Sequence, residues 1–204
     1  MPAKGRALLT GLMLGLTLVA CGLLAGCGGG GGGAGGVATV YGVLADDSTL
    51  AGVSGGIVTI AGRTSSPSAV DGSFEVDNVP TGSQSLTVTL TGYQTVAAST
   101  SLVSGPNTLS TIYLKPGLVS GDGNITGTVQ SSGSAVAGAT VTAGGKTAYT
   151  KDDGSFTVYN LAPGNVTVRA SSGAMSGLGV ATVTSGGTAD ITISVGIGPP
   201  PPPI

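Results

Sequence analysis

Asp71-Gly72-Ser73-Phe74-Glu75-Val76-Asp77-Asn78-Val79-Pro80-Thr81-Gly82 occurs a second time, as Asp153-Gly154-Ser155-Phe156-Thr157-Val158-Tyr159-Asn160-Leu161-Ala162-Pro163-Gly164. Asp-Gly between alternating apolar residues signals a tight β-hairpin, because glycine accepts the positive φ that two-residue turns need. The strand that follows alternates, so Phe74 and Val76 share one face, as do Phe156 and Val158. Pro and Gly then mark a second turn at the end of each strand. One hairpin used twice implies one domain used twice.

Working outward, the same plan recurs on both sides of each hairpin. The first module, residues 37–115, opens on Val40, Gly42 and Leu44 and continues through Leu50-Ala51-Gly52-Val53 and Ile57 to Ile60. Leu86, Val88 and Leu90 alternate next, with further strands near 95–102 and 108–114 on either side of Ser104-Gly105-Pro106-Asn107. The second module, residues 124–197, opens on Ile125-Thr126-Gly127-Thr128-Val129, and Val136-Ala137-Gly138-Ala139 matches Leu50 to Val53. Val166, Val168 and Ala170 answer Leu86 to Leu90, and Ile191, Ile193 and Val195 close the module. Outside the N-terminal segment no window carries a helical period. About seven short strands per module, with turns every 8–12 residues, predict two tandem all-β sandwiches. Pro116 to Gly123 makes the linker, residues 116–123.

Each module resembles the carboxypeptidase regulatory-like domain, a transthyretin-like or prealbumin-like Greek-key sandwich. The second carries the resemblance at Gly127-Thr128-Val129, Gly138-Ala139-Thr140-Val141, Thr150, Gly154-Ser155-Phe156 and Leu161-Ala162-Pro163-Gly164. The first carries it at Gly42, Gly72-Ser73-Phe74 and Val79-Pro80-Thr81-Gly82. It departs at Ser54-Gly55-Gly56, read as an insertion, and at Pro67, so its second strand is expected to be bulged or at an edge. The fold hosts many roles, so the resemblance implies architecture rather than activity.

Residues 1–26 read as an export signal, with Lys4 and Arg6 ahead of an apolar stretch from Ala7 to Ala25. An uncleaved anchor is the competing reading, since the run is nearly long enough to span a bilayer. Leu24-Ala25-Gly26-Cys27 resembles a bacterial lipobox, and Leu18-Val19-Ala20-Cys21 fits the same pattern more loosely. The resemblance implies that Cys27 receives diacylglycerol and becomes the first mature residue, anchoring the protein to the membrane. Residues 27–36 then supply the lipidated cysteine and a glycine tether. Gly28 stands where enterobacterial lipoproteins carry the aspartate of inner-membrane retention, so a two-membrane host would place this protein in the outer membrane or at the cell surface. Residues 198–204 form a proline-rich tail, stiff as polyproline II.

Composition argues against chemistry. The 204 residues contain no His, and both Cys, Cys21 and Cys27, lie ahead of the two modules. Ser-His-Asp and Cys-His catalysis and His-ligated zinc are therefore excluded, and no cofactor is expected. Net charge is −2 with seven basic residues, too few and too scattered to hold nucleic acid. Glu75 and Asp77 share an outward face and read as solvated. Asp46-Asp47 and Asp152-Asp153 read as turn aspartates. Asn124-Ile125-Thr126 and Asn165-Val166-Thr167 match glycosylation acceptors, incidental behind a bacterial lipobox.

Two function classes remain. The first is a non-catalytic envelope protein whose modules space or dock an unknown envelope protein. The alternative is a carbohydrate-binding surface module, since starch-binding-like sandwiches share this architecture. Strand parity turns Tyr41, Tyr113 and Tyr159 outward, a candidate binding platform for a protein partner or a glycan.

Overall fold

The computed structural model describes residues 36–197, and among these there is no helix. The export signal, Cys27, most of the glycine tether and the proline tail lie outside the described residues. The first half contains β1 (Val37–Asp46), β2 (Ile57–Ile60), β3 (Arg63–Thr64), β4 (Ser73–Pro80), β5 (Gly82–Thr89), β6 (Val96–Leu102), β7 (Gly105–Thr108) and β8 (Ile112–Leu114). The second contains β9 (Gly123–Ser131), β10 (Ser134–Ala135), β11 (Thr140–Ala143), β12 (Lys146–Tyr149), β13 (Ser155–Leu161), β14 (Gly164–Ser172), β15 (Met175–Val183), β16 (Thr188–Ser194) and β17 (Gly196–Ile197).

The two halves share one topology. In the first, β4-β1-β7 form one sheet, with β8 continuing along β1 beyond β7, and β3-β2-β5-β6 form the other. In the second, β13 and β16 flank β9, opposite β12-β11-β14-β15. The last strand runs parallel to the first in both halves, β7 and β8 on β1 and β16 on β9. Counting β7 and β8 as one interrupted strand, and leaving aside the two-residue β10 and β17, each half is a seven-stranded sandwich. Gly105-Pro106-Asn107, expected as a connection, belongs to β7. Proline is tolerated there because the strand lies at the sheet edge.

Alternation sets the cores. Val40, Leu44, Val58, Ile60, Phe74, Val76, Leu86 and Val88 are buried in the first sandwich. Ile125, Val129, Val141, Phe156, Val158, Leu161, Val168 and Ile193 are buried in the second. Gly42 lies opposite Phe74 and Gly127 opposite Phe156, so the two Phe occupy the same place in the repeat.

The Asp-Gly turns differ from the expected two-residue hairpin. Gly72 N donates to Ala69 O and Ala69 N to Ser73 O, both at 2.9 Å, so Asp71 sits third in a four-residue turn that Gly72 closes at φ +81. Gly154 repeats this at φ +75, its N donating to Lys151 O at 2.9 Å. Both glycines also press against the first strand, where a side chain would meet the carbonyl of Leu44 or Val129. Each turn therefore joins two sheets and does not link neighbours in one ladder: β3 and β4 belong to different sheets, as do β12 and β13. Asp71 and Asp153 accept from the backbone N of Ser73 and Ser155 at 2.9 Å. The bonds made by Ser73 and Ser155 hold both carboxyls below the usual carboxylate range.

Two further expectations are corrected. Val53 N donates to Leu44 O as Val136 N donates to Val129 O, which makes Val53 the counterpart of Val136. Ser54-Gly55-Gly56 is thus the counterpart of Ala137-Gly138-Ala139 and no insertion; the extra two residues lie in the turn after β1. The second strand, β2, is interior, paired with β3 and β5. The hydroxyl motif at Thr150 also has an unrecognised partner. Thr150 Oγ1 accepts from Ala139 N at 2.7 Å and donates to Val136 O at 2.6 Å. Buried Ser68 does the same between Gly56 N and Val53 O, at 2.9 and 2.7 Å.

Candidate functional site at the junction of the sandwiches

The longer turn after β1 builds the contact between the halves. Leu50 N returns to Asp46 O at 2.9 Å, with Leu50 at φ +57. Asp46 Oδ1 accepts from the backbone N of Ser48 and Thr49 at 2.9 and 2.8 Å, and Asp46 Oδ2 from Tyr93 OH at 3.0 Å. Short polar side chains favour such turns because they satisfy the local N–H groups. Burial, and then the bond to Asp46, raise the Tyr93 phenol above its ordinary value.

Held by this turn, Asp47 points into the second sandwich and is 5% exposed. Its Oδ2 accepts from Tyr159 OH at 2.6 Å, and its Oδ1 pairs with Lys151 Nζ at 2.5 Å. The Lys151 ammonium also lies 4.6 Å from the centre of the Tyr113 ring, a cation–π contact back to the first half. Ser48 O accepts from Tyr149 N at 2.7 Å, a backbone bond across the junction. Burial, followed by the bond and charge of Asp47, pushes the Tyr159 phenol far above its ordinary value. The Tyr159 hydroxyl thus keeps its proton and donates it in the bond to Asp47, both of whose oxygens are engaged. This constellation ties the two halves together.

The linker is tied to both sides. Asn160 Nδ2 donates to Gly117 O at 2.9 Å, and Asn160 Oδ1 accepts from Val119 N at 3.0 Å. Gly117 N donates to Gly92 O at 2.8 Å. Asn160 adopts φ +56 at a break in the β13–β9 register, and Asn78 adopts φ +55 at the equivalent place. Lys146 Nζ covers the bulge by donating to Asn160 O at 2.6 Å and Tyr159 O at 3.1 Å.

The three platform tyrosines do not form one open surface. Tyr41 and Tyr113 lie on the outer face of their sheet, 39% and 37% exposed, with Tyr113 beside Ala45, four positions beyond Tyr41. The Tyr113 ring is engaged by Lys151, and Tyr159 is buried by the opposite half. Parity sends Tyr159 away from its own core, where Asp47 then covers it. Tyr41 instead borders an open groove of about 380 Å³ with Pro67, Glu75 and Asp77. The neighbouring Glu75 carboxylate raises the Tyr41 phenol above its ordinary value, and Thr39 Oγ1 donates to Asp77 at 3.0 Å. Among the described residues no three His, Cys, Asp or Glu side chains gather as a metal site.

Beside the clamp opens a cleft of about 480 Å³ with walls from both halves. Gln94, Lys115 and Leu118 face Asn124, Thr126 and Thr188 across it, with Lys151 and Tyr159 at its Asp47 side. A smaller cleft of about 200 Å³, between Asp46 and Lys146, lies on the other side of Tyr159. Neither cleft was foreseen, because each is made by residues distant in sequence.

Comparison with known proteins bears on the second sandwich. Residues 124–196 match the carboxypeptidase regulatory-like domain. The match runs from β9 into β17 and so covers the second sandwich, whose strand order the first repeats. No curated protein matches the chain in sequence. Among solved structures, the TIE protein of Bacillus anthracis is similar at 13% identity and a TM-score of 0.33, over 78% of this chain and 34% of that one. The chain thus spans about a third of that protein's length. A minor pilin of Streptococcus agalactiae is similar at 10% identity and a TM-score of 0.33, over 83% and 99% of the two chains. A streptococcal ancillary pilin is similar at 16% identity and a TM-score of 0.33, over 78% and 62%. Likeness at these scores carries no functional weight.

Proposed function

We infer that the chain is a non-catalytic, lipid-anchored cell-envelope protein whose two sandwiches act together as a spacer or docking unit. The observation that carries this reading is the Asp47 clamp, which ties the first half to Tyr159 and Lys151 of the second. Sandwiches joined only by a chain would swivel, as domains with small polar interfaces do. With the clamp and a linker bonded to both halves, the pair carries a load or presents a surface at a set angle. The flexible glycine tether leaves orientation to whatever the sandwiches dock against. The lipobox at Cys27 supports membrane anchorage, and Gly28 supports the outer membrane or cell surface in a two-membrane host.

Cell fractionation tests the anchor. Cys27→Ser should move the protein out of the membrane fraction or leave an uncleaved precursor, and the wild-type mature mass should begin at Cys27 with added acyl mass. A mature N-terminus at Cys21 or Met1 would contradict it.

A further inference from the structure

The second sandwich leaves one strand unfinished at its edge. On one side β15 pairs with β14 along its whole length, from Val183 opposite Gly164 to Met175 opposite Ser172. On the other side β17 covers only Met175 and Ser176. Among the described residues no strand receives the outward backbone N–H and C=O groups of Gly177 to Val183. Natural edges are blunted by charge, proline or a bulge, because otherwise they pair with another chain. This stretch, Gly177-Leu178-Gly179-Val180-Ala181-Thr182-Val183, has no charge and no proline, and its register with β14 does not shift. Its outer face is also more apolar than the repeat requires. Leu178 and Val180 are 61% and 66% exposed, and strand pairing puts Ala97 and Ser99 in the same places of the first sandwich. From the core side β16 supports the strand: a side chain at Gly177 would meet Ser194 O, and one at Gly179 the Ile191 side chain.

We propose that this edge joins two copies of the chain, β15 pairing antiparallel with β15 of the second copy about a two-fold axis at Val180. The limits of the free stretch dictate that register. With Val180 on the axis, Gly177 lies opposite the second copy's Val183, and Leu178 opposite its Thr182. Beyond Val183 the second chain turns away, Gly187 N donating to Thr184 O at 3.0 Å, just where β17 closes the edge of the first. A shifted pairing would run into β17. On the outer face Val180 meets Val180, with Leu178 diagonal to it and within reach. On the core side the bare Gly177 and Gly179 leave room for Val183 and Ala181. Arg169, beside Leu178, is the one charged residue on the outer face of β14 and β15. The two Arg169 would stand about 20 Å apart, three strand spacings across and four residues along, where salt screens them. Pairing makes one eight-stranded sheet from β12-β11-β14-β15 of two copies. It goes beyond the spacer role and does not depend on lipid anchorage.

Sedimentation equilibrium of the full chain in density-matched detergent tests the proposal, with Cys21→Ser and Cys27→Ser to exclude disulfide pairing. The protein should have the mass of two chains, with a Kd tighter than about 10 μM. Val180→Lys sets like charges face to face at the axis and should give the mass of one chain, as should Val180→Glu. Val180 is exposed, so neither change enters the core. An equal mixture of the two variants should restore the doubled mass, because opposite charges then meet across the axis. Ser99→Lys, at the equivalent place of the first sandwich, should leave the dimer intact. A single-chain mass with Val180 in place or a doubled mass that survives Val180→Lys would overturn the proposal. So would dissociation by Ser99→Lys, or a mixture that stays monomeric.

Discussion

Superposing the two sandwiches by their strand pairing separates what builds the fold from what joins the halves. Core positions repeat: Phe74 with Phe156, Val76 with Val158, Leu44 with Val129, Ser68 with Thr150. Junction positions do not. Asp47 lies in the turn that is two residues longer than its counterpart, and the counterpart of Lys151 is Ala69, of Tyr159 is Asp77 and of Tyr113 is Ser194. Every member of the clamp stands where the repeat is broken. The lesson is that the shared residues make each sandwich, and the divergent ones make the pair.

The largest expected effect falls on the shared positions. Phe156→Ala should destabilise the second sandwich by about 3–5 kcal/mol, and Phe74→Ala should cost the first a similar amount. Calorimetry of both variants checks this, and a much smaller cost at one of them would break the equivalence of the two cores. That loss is a large share of the roughly 5–15 kcal/mol available to a domain.

Next come the divergent positions. Asp47→Ala strands the Tyr159 hydroxyl and frees Lys151, and should cost about 1.5–3 kcal/mol. Partial exposure of Lys151 keeps the loss below that of a fully buried pair. Ser132→Ala, in the shorter turn of the second sandwich, should lie within about 0.5 kcal/mol of wild type. Equal costs in urea titrations would mean that the junction contributes nothing special.

The pH dependence sharpens the same contrast. A phenol raised in the folded state, as Tyr159 is, gives stability that is complete below the unfolded value of 10.0 and is lost as pH rises above it. Alkaline unfolding should therefore steepen above about pH 10, and Tyr159→Phe should flatten that limb. An unchanged limb in the variant would contradict the burial of this hydroxyl.

The smallest effect is a gain. Thr100, on β6, is 2% exposed and its Oγ1 has no partner, whereas Ala181 fills the equivalent place on β15. Thr100→Val should stabilise the first sandwich by about 1 kcal/mol, since an unsatisfied buried hydroxyl costs about 1–3. A loss in thermal melts would mean that the hydroxyl is satisfied in solution.

The sandwich architecture was legible because its signals are local. Alternation, Gly-Ser-Phe and the Pro-Gly turns each act within a few residues, and their recurrence exposed the tandem plan. The details that failed were also local ones, where a turn could be closed in more than one way. Leu50 takes a left-handed conformation that glycine would have announced, so the two extra residues in that turn were misplaced to Ser54-Gly55-Gly56. The junction was illegible for a different reason. Asp47 meets Lys151 and Tyr159 across 104 and 112 residues, and strand parity reports only which way a side chain leaves its own sheet. Parity turned Tyr159 outward but had no knowledge of the second sandwich waiting there. The one signal available was the loss of repeat identity at Asp47, Lys151 and Tyr159.

The central claim, that Asp47 makes the two sandwiches one rigid body, is tested most directly by a distance distribution between them. Nitroxides at Val70→Cys and Thr182→Cys, both exposed, would be placed on a chain with Cys21→Ser and Cys27→Ser and measured by pulsed electron resonance. The clamp predicts one narrow distance, which broadens when Asp47→Ala is added. A broad distribution already present with Asp47 intact, or a narrow one that survives Asp47→Ala, would contradict it.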